Sequence, residues 1–149
     1  MEKKNLSCLL NNYSFVVPEI QREYVWGAKK NNHVLIQFLN DLNEKLAKGD
    51  ANIGFLYSYR SGSEHYLIDG QQRYTTMILL LHFLSKKEVC VSNDFVRQMR
   101  PKDTIPAFSY RVRTYTESFL TQLLNSNATN EKDVKDQKWF KKEYVTDTT

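Results

Sequence analysis

The stretch Ile68-Asp69-Gly70-Gln71-Gln72-Arg73-Tyr74-Thr75-Thr76 separates two apolar segments of different character. The residues before it, 65–68, are typical of a β-strand, and residues 77–84 after it are typical of a buried helix. The stretch therefore predicts a sharp turn from a strand into a helix. The free N–H groups and the positive dipole end of such a helix can hold a phosphate.

The side chains of this turn favour an anionic ligand. Gly70 lets the backbone approach a ligand closely. Gln71 and Gln72 add amide donors, and Arg73 adds a planar, permanently charged fork suited to phosphate oxygens. Arg73 also falls in the first helical turn, where the dipole disfavours a cation, so it predicts an anionic partner. That partner is a phosphate, Asp69 or a glutamate elsewhere in the fold, and we favour the phosphate of a nucleotide.

Asp69 has two interpretations. Asp69 and Gln72 have the spacing of a capping box, in which the acid caps the helix and the amide reaches back to it. Alternatively, Asp69 is catalytic and orients a water molecule or a magnesium ion near the phosphates. The sequence does not separate these two roles.

Composition places the chain among ordinary globular proteins. It has 149 residues, of which 41% are hydrophobic and 26% charged, enough for one domain with a substantial core. Its net charge of +4 permits contact with nucleic acid without requiring it, because acids and bases are interspersed. Two distant cysteines, Cys8 and Cys90, and the lack of metal-ligand spacing predict a cytoplasmic protein without a zinc site. No apolar stretch reaches membrane-spanning length, so no membrane partner is expected.

The remaining pattern predicts an α+β fold, a small mixed β-sheet with helices packed on it. Strands are expected at 13–17, at 53–59 and 64–68 as a β-hairpin, and at 107–112. Helices are expected at 33–48, 74–85, 94–99 and 114–126, the second of them buried in the middle of the fold. Residues 125–136 predict a polar loop, and 138–144 could begin a further helix. We assign residues 1–126 to one nucleotide-binding domain and 127–149 to a polar linker with the truncated start of a following segment.

A second polar and aromatic stretch follows the first predicted strand. It contains Gln21, Arg22, Tyr24 and Trp26. The two aromatic residues are expected to pack in the core or in a loop. Gln21 and Arg22 have no periodic reason to stand at a strand end, so Arg22 is either a solvated loop residue or a functional one.

Together, two stretches resemble the hallmark motifs of a known family. The first motif (residues 17–26, Val-Pro-Glu-Ile-Gln-Arg-Glu-Tyr-Val-Trp) and the second motif (residues 67–76, Leu-Ile-Asp-Gly-Gln-Gln-Arg-Tyr-Thr-Thr) resemble those of the N-terminal domain of GmrSD-type restriction proteins. The resemblance covers residues 10–85 well and continues weakly through residues 110–113. It implies a fold similar to ParB and sulfiredoxin, but not sulfiredoxin activity, because glutamine stands where that activity needs a cysteine.

The resemblance implies a domain that binds, and could hydrolyse, a nucleoside triphosphate (NTP) with Mg²⁺. Such a domain serves DNA restriction in defence against phage, regulating or joined to an HNH-type nuclease domain or subunit. The matching binding residues are Gln21, Arg22, Tyr24, Trp26, Gly70, Gln71, Gln72 and Arg73, with Asp69 as the catalytic candidate. No Walker motif is present, so the chain is not a P-loop NTPase. No histidine follows His82, so autonomous HNH-type DNA cleavage is not expected.

Two alternative functions stay open. The same arginines could contact the DNA backbone in a ParB-like DNA-binding or nuclease module, or the chain could be a non-catalytic remnant or interaction domain. A helix terminus and one arginine together supply about 4 kcal/mol, which gives only millimolar binding. The nucleotide hypothesis therefore predicts that the two motifs meet in space, so that Arg22 and an aromatic ring of the first motif add to the site.

Overall fold

The computed structural model describes residues 2–49, 51–86, 108–142 and residue 144. The order of helices and strands is α1 (Leu6–Asn12), β1 (Ser14–Val17), α2 (Asn32–Ala47), β2 (Tyr57–Ser61), β3 (Glu64–Asp69), α3 (Gln71–Lys86), β4 (Phe108–Tyr110), α4 (Thr114–Asn125) and α5 (Glu131–Lys135). The predicted α+β class is confirmed. The helix predicted at 94–99 lies outside the described residues.

The four strands form one mixed sheet in the order β2-β3-β1-β4. β2 runs antiparallel to β3, whereas β1 runs parallel to both β3 and β4. In this register Phe15 lies opposite both His65 and Phe108. Because parallel strands end at the same edge of a sheet, the segments that follow β1, β3 and β4 leave it together, which is where ligands bind in sheets of this type.

The core lies between one face of the sheet and α3. Phe15, Val17 and Leu67 point to this face, and Tyr74 and Ile78 of α3 pack on them. The Tyr74 and Phe15 rings are 4.9 Å apart in an edge-to-face arrangement, a favourable geometry for aromatic pairs. Burial is greatest over the first two turns of α3, so the expectation of a buried helix is confirmed there.

The predicted hairpin is confirmed, but its first strand starts late. β2 begins at Tyr57 rather than at residue 53. The Gly54 amide donates to Asn52 Oδ1 at 2.8 Å, so a local turn occupies the apolar segment that the sequence pattern assigned to the strand. α2 and α4 follow the predicted helices at 33–48 and 114–126 within two residues at either end. β4 lies within the strand predicted at 107–112.

The prediction of a polar loop over 125–136 is wrong for part of that segment. Glu131–Lys135 forms α5, and Asn130 Oδ1 caps it by accepting from the Asp133 amide at 3.0 Å. Beyond this helix, the Trp139 ring packs edge-to-face on Phe119 of α4 at 6.0 Å between centroids. None of the helices in the described part of the chain is both long and apolar enough to cross a membrane.

Candidate functional site

The two motifs meet at the edge of the sheet where β1 and β3 end. Gln71 Nε2 donates to the Arg22 carbonyl at 3.1 Å, and Gln21 Nε2 donates to the Ile68 carbonyl at 3.0 Å. Each motif thus holds the backbone of the other through a side-chain amide. The prediction that the motifs meet in space is confirmed, and the cause is the parallel pairing of their strands.

Gln72 makes the closest connection between the motifs. Its Nε2 donates to the Glu23 carbonyl at 2.8 Å, and its Oε1 accepts from the Val25 amide at 2.9 Å. The residue is only 6% exposed, so both ends of its amide are satisfied inside the protein. The primary role that this geometry gives Gln72 is to fix the backbone of the first motif.

Gly70 is required by close packing within the protein. Its φ is +87°, a conformation that other residues rarely adopt. A Cβ atom at this position would lie 2.5 Å from Leu56 Cδ2 and 2.8 Å from the Phe55 carbonyl oxygen. The close approach that the structure shows at Gly70 is to the segment that precedes β2, and the approach to a ligand stays a prediction.

Arg73 supports the same segment. Its Nη2 donates to the Phe55 carbonyl at 2.6 Å and lies 3.9 Å from Asp69 Oδ2. Asp69 was one of the partners that the sequence suggested, whereas a backbone carbonyl was not foreseen. Part of the guanidinium thus stabilises the fold through the Phe55 carbonyl, and 31% of the side chain remains exposed.

The capping-box interpretation of Asp69 is wrong. Asp69 is the last residue of β3, and α3 begins at Gln71. The Gln72 amide, which would have to turn back toward residue 69, instead binds the backbone of residues 23 and 25. The Asp69 side chain is 70% exposed and remains available to a ligand.

A cleft of about 340 Å³ lies where the motifs meet, and we call it the motif cleft. Its lining residues come from both motifs: Gln21, Arg22, Trp26, Asp69, Gly70, Gln71, Gln72 and Arg73. Tyr24 is the one predicted site residue that does not line it. Its ring packs against the core and its hydroxyl lies 3.0 Å from Thr76 Oγ1, and burial raises the pKa of this tyrosine.

The motif cleft is electropositive. Arg22 is exposed, and within the described ranges its guanidinium forms no hydrogen bond or ion pair, although Gln71 fixes its backbone. The first hydrogen bond of α3 runs from the Tyr74 amide to the Gly70 carbonyl at 2.9 Å. The N–H groups of residues 71–73 therefore have no partner within the helix and carry the positive end of its dipole. Two arginines and a helix terminus face a single carboxylate, Asp69.

The segment after β4 is joined to the first motif, a connection that the sequence indicated only weakly. Arg113 Nε lies 3.3 Å from Glu23 Oε1, and Thr116 Oγ1 donates to the same carboxylate oxygen at 3.0 Å. Glu23 thus links the first motif to α4. Strand direction explains why these residues lie near the first motif: β4 pairs in parallel with β1 and ends at the same edge of the sheet.

Tyr110, the last residue of β4, is buried in the core of the protein. Burial raises its pKa to about 12. Its phenol is therefore neutral at physiological pH and contributes packing rather than charge.

Comparison with known proteins assigns the family. Residues 6–148 match the family described as the GmrSD restriction endonuclease, N-terminal domain. The chain belongs to this family, which makes it a module of a restriction or defence system. Comparisons with curated proteins and with solved structures found no match, so the likeness to the ParB and sulfiredoxin folds stays a prediction.

Proposed function

We propose that this domain binds a nucleoside triphosphate in the motif cleft and acts as a nucleotide-dependent regulatory module of a restriction system. One observation carries the proposal. Arg22, without a partner in the described chain, and the N-terminus of α3 face the same cleft, and the glutamines of both motifs hold them there. A cation at the same cleft as N–H groups that have no partner within the helix is suited to phosphate oxygens.

The residues of the two motifs would have different roles in binding the nucleotide. The N–H groups of residues 71–73 and the exposed part of Arg73 would bind phosphate oxygens. Gln72 would act indirectly, because its amide is already occupied by the first motif. Gln21 would fix the end of β3 through the Ile68 carbonyl, and Trp26 would supply an aromatic wall.

Asp69 fits a role toward Mg²⁺. The described residues contain no cluster of three or more His, Cys, Asp or Glu side chains that could hold a metal ion. Magnesium in nucleotide sites is commonly held by one or two carboxylates together with the phosphates of the ligand. Asp69 is an exposed carboxylate at the cleft, so it would hold the ion or orient a water molecule beside the phosphates.

The expected affinity follows from these contacts. Two arginine contacts contribute about 1.5–3 kcal/mol each, and the helix terminus adds up to about 2 kcal/mol. Their sum of about 3–8 kcal/mol corresponds to dissociation constants from several millimolar to about micromolar. This range suits a module that senses nucleotide and can be measured by calorimetry.

The first experiment is calorimetric titration of ATP, GTP, CTP and UTP with Mg²⁺. Wild-type protein should bind at least one of them, and Arg22→Ala should weaken that binding about tenfold or more without a change in melting temperature. Arg60→Ala is the matched control, because Arg60 donates to the Gly62 carbonyl in the hairpin, has no further side-chain bond in the described part of the chain and does not line the cleft. Absence of binding to the folded wild-type protein would refute the proposal.

Hydrolysis is tested separately from binding. Asp69→Asn keeps the shape of the side chain and removes its charge. If Asp69 is catalytic, the variant should bind nucleotide within a few-fold of wild type and release phosphate at least a hundredfold more slowly. Equal rates of phosphate release in the two proteins would show that Asp69 is not catalytic, and the proposed binding site would stand.

DNA contact is the second candidate function, and the exposure of Arg22 favours it. A guanidinium that no described residue neutralises could bind the DNA backbone as well as a nucleotide. DNA binding would then weaken steeply with salt, and Arg22→Ala would reduce the slope of log K against log salt by about 1. Binding of DNA with such a slope, together with no effect of any nucleotide, would favour this alternative.

The nuclease partner is likewise a proposal. The family description supports cooperation with a nuclease, either as a further domain or as a separate subunit. In that arrangement, nucleotide binding at the motif cleft would control DNA cleavage elsewhere.

A further inference from the structure

A second cavity of about 190 Å³ lies beside the motif cleft, between α2 and the segment before β2. It is lined by Phe38, Asp41, Leu42, Lys45, Asn52, Ile53, Gly54 and Arg73. Apart from Arg73, none of these residues belongs to either motif, so the family motifs do not account for this cavity. It is too small for a whole drug-sized ligand, whose sites measure about 300–1,000 Å³, and it suits one part of a ligand.

Two contacts place the second cavity directly beside the motif cleft. Arg73 lines both of them, with its guanidinium against Gly54 on the side of the second cavity. Trp26 lines the motif cleft and Phe38 lines the second cavity, and their rings pack with centroids 5.3 Å apart. An arginine and an aromatic wall therefore run from one to the other.

The chemistry of the second cavity differs from that of the motif cleft. Phe38, Leu42 and Ile53 give it apolar surface, which a planar ring can cover. Its polar groups are of both kinds: Asp41 accepts hydrogen bonds and Lys45 donates them. In the described part of the chain neither of these side chains has an ion-pair partner.

Asn52 adds a donor whose orientation is fixed. Its Oδ1 accepts from the Gly54 amide at 2.8 Å, which identifies the other amide atom as Nδ2 and leaves it as a donor. An acceptor and two donors around an apolar surface match a heteroaromatic ring that carries both N–H groups and acceptor atoms. A phosphate, which offers acceptors alone, would leave the Asp41 carboxylate without a donor.

We propose that the second cavity holds the nucleobase of the nucleotide whose phosphates bind the motif cleft. This inference rests on the proposed function and assigns Asp41, Lys45 and Asn52 as the residues that distinguish bases. The phosphates lie at the start of α3, the ribose passes over Arg73, and the base packs against Phe38. Asp41 accepts from an N–H group of the base, while Lys45 and Asn52 donate to its acceptor atoms.

The test compares nucleoside triphosphates with inorganic tripolyphosphate, which has the phosphates and no base. Calorimetry with Mg²⁺ should show that wild type binds the best of ATP, GTP, CTP and UTP at least tenfold more tightly than tripolyphosphate. Asp41→Ala should weaken the binding of that nucleotide at least fivefold. The binding of tripolyphosphate should stay unchanged or become slightly tighter, since a nearby negative charge is removed. The opposite responses of the two ligands separate base recognition from general electrostatics.

Each test variant has a matched control, Glu44 within α2 and Lys48 directly after its last residue. Glu44→Ala makes the same change of charge in α2 outside both cavities, and it should change the affinity for neither ligand by more than twofold. Lys45→Ala, paired with Lys48→Ala as its control, gives a second measurement that does not depend on Asp41. It should reduce the ratio of nucleotide to tripolyphosphate affinity, and the Lys48 variant should not.

The outcomes distinguish this inference from the one on which it rests. If wild type binds nucleotide and tripolyphosphate equally well, or if Asp41→Ala leaves their ratio unchanged, the nucleobase site is refuted while the phosphate site stands. If wild type binds neither ligand, both proposals are refuted.

Discussion

Two turns border β3, and they use glycine for different reasons. Gly62 precedes the strand with φ +61°, and Gly70 follows it with φ +87°. A Cβ atom on Gly62 would meet no heavy atom within 4 Å, whereas one on Gly70 would overlap Leu56 and the Phe55 carbonyl. The hairpin turn thus needs glycine for its backbone alone. The turn into α3 needs it for backbone and space together, because the candidate site is assembled by close packing around that residue.

The largest expected effect is that of alanine at these two glycines. Gly70→Ala should destabilise the fold by about 2–5 kcal/mol, since a left-handed residue costs about 1–2 kcal/mol and overpacking about 1–3 kcal/mol more. Gly62→Ala should lower the free energy of unfolding by only about 1–2 kcal/mol, the cost of the left-handed backbone conformation alone. Urea denaturation of both variants measures the difference, and equal losses would mean that the segment at residues 55–56 moves aside freely.

A smaller effect is expected from the amide that joins the motifs. Gln72→Leu keeps the approximate size of the side chain but leaves the Glu23 carbonyl and the Val25 amide without their partner. We expect a loss of about 2–3 kcal/mol, because each buried polar group left unpaired costs about 1–3 kcal/mol and water recovers part of this. The hairpin counterpart, Arg60→Ala, removes an exposed bond to Gly62 and should change stability by less than about 0.5 kcal/mol. A loss for Gln72→Leu as small as that of Arg60→Ala would show that the first motif holds its shape without the amide.

The smallest effect concerns the carboxylates at the two ends of β3. Glu64 begins the strand and accepts from Arg111 Nη2 at 2.6 Å, and this bond lowers the pKa of the glutamate. A carboxyl whose pKa is lower in the folded state stabilises the protein at pH values above its pKa in the unfolded state. This contribution disappears as the pH falls through the pKa of the folded state. Glu64→Gln should therefore cost about 0.5–1 kcal/mol at neutral pH and approach wild type below about pH 4.

Asp69→Asn is the matched change at the other end of the strand. Its carboxylate lies 3.9 Å from Arg73 and is largely exposed, so its removal should alter stability by less than about 0.5 kcal/mol. Thermal denaturation between pH 3 and pH 7 compares the two variants. A larger loss for Asp69→Asn than for Glu64→Gln would assign Asp69 a structural role instead of the functional one proposed for it.

The sequence predicted what depends on local pattern and on strand direction. The strand-to-helix turn at Gly70, the hairpin and the amphipathic α2 follow from periodicity and turn residues, and the structure contains all three. The prediction that the two motifs meet followed from the number of contacts that phosphate binding requires. Local pattern also misled in two places, at residues 53–56 and 131–135, where Asn52 and Asn130 direct the chain through their side chains.

Side-chain partners between distant segments could not be predicted. Arg73 carries no local sign that it will bond to the Phe55 carbonyl, and Gln72 carries none that it will bind the first motif. Both pairings depend on where the segment before β2 and the first motif lie in three dimensions. For the same reason, no sequence pattern indicated that Asp41 and Lys45 of α2 would share a cavity with Arg73.

The amide of Gln72 also bears on the order in which the protein folds. It donates to residue 23 and accepts from residue 25, the pairing that one peptide unit makes with its neighbour in a parallel ladder. The side chain thus replaces a strand, but its partner lies 49 residues away along the chain. Closing so long a loop costs entropy, so we expect the first motif to gain its full shape only after β3 and α3 have formed. Hydrogen exchange of the Val25 amide should therefore report opening of the site at a lower free energy than global unfolding.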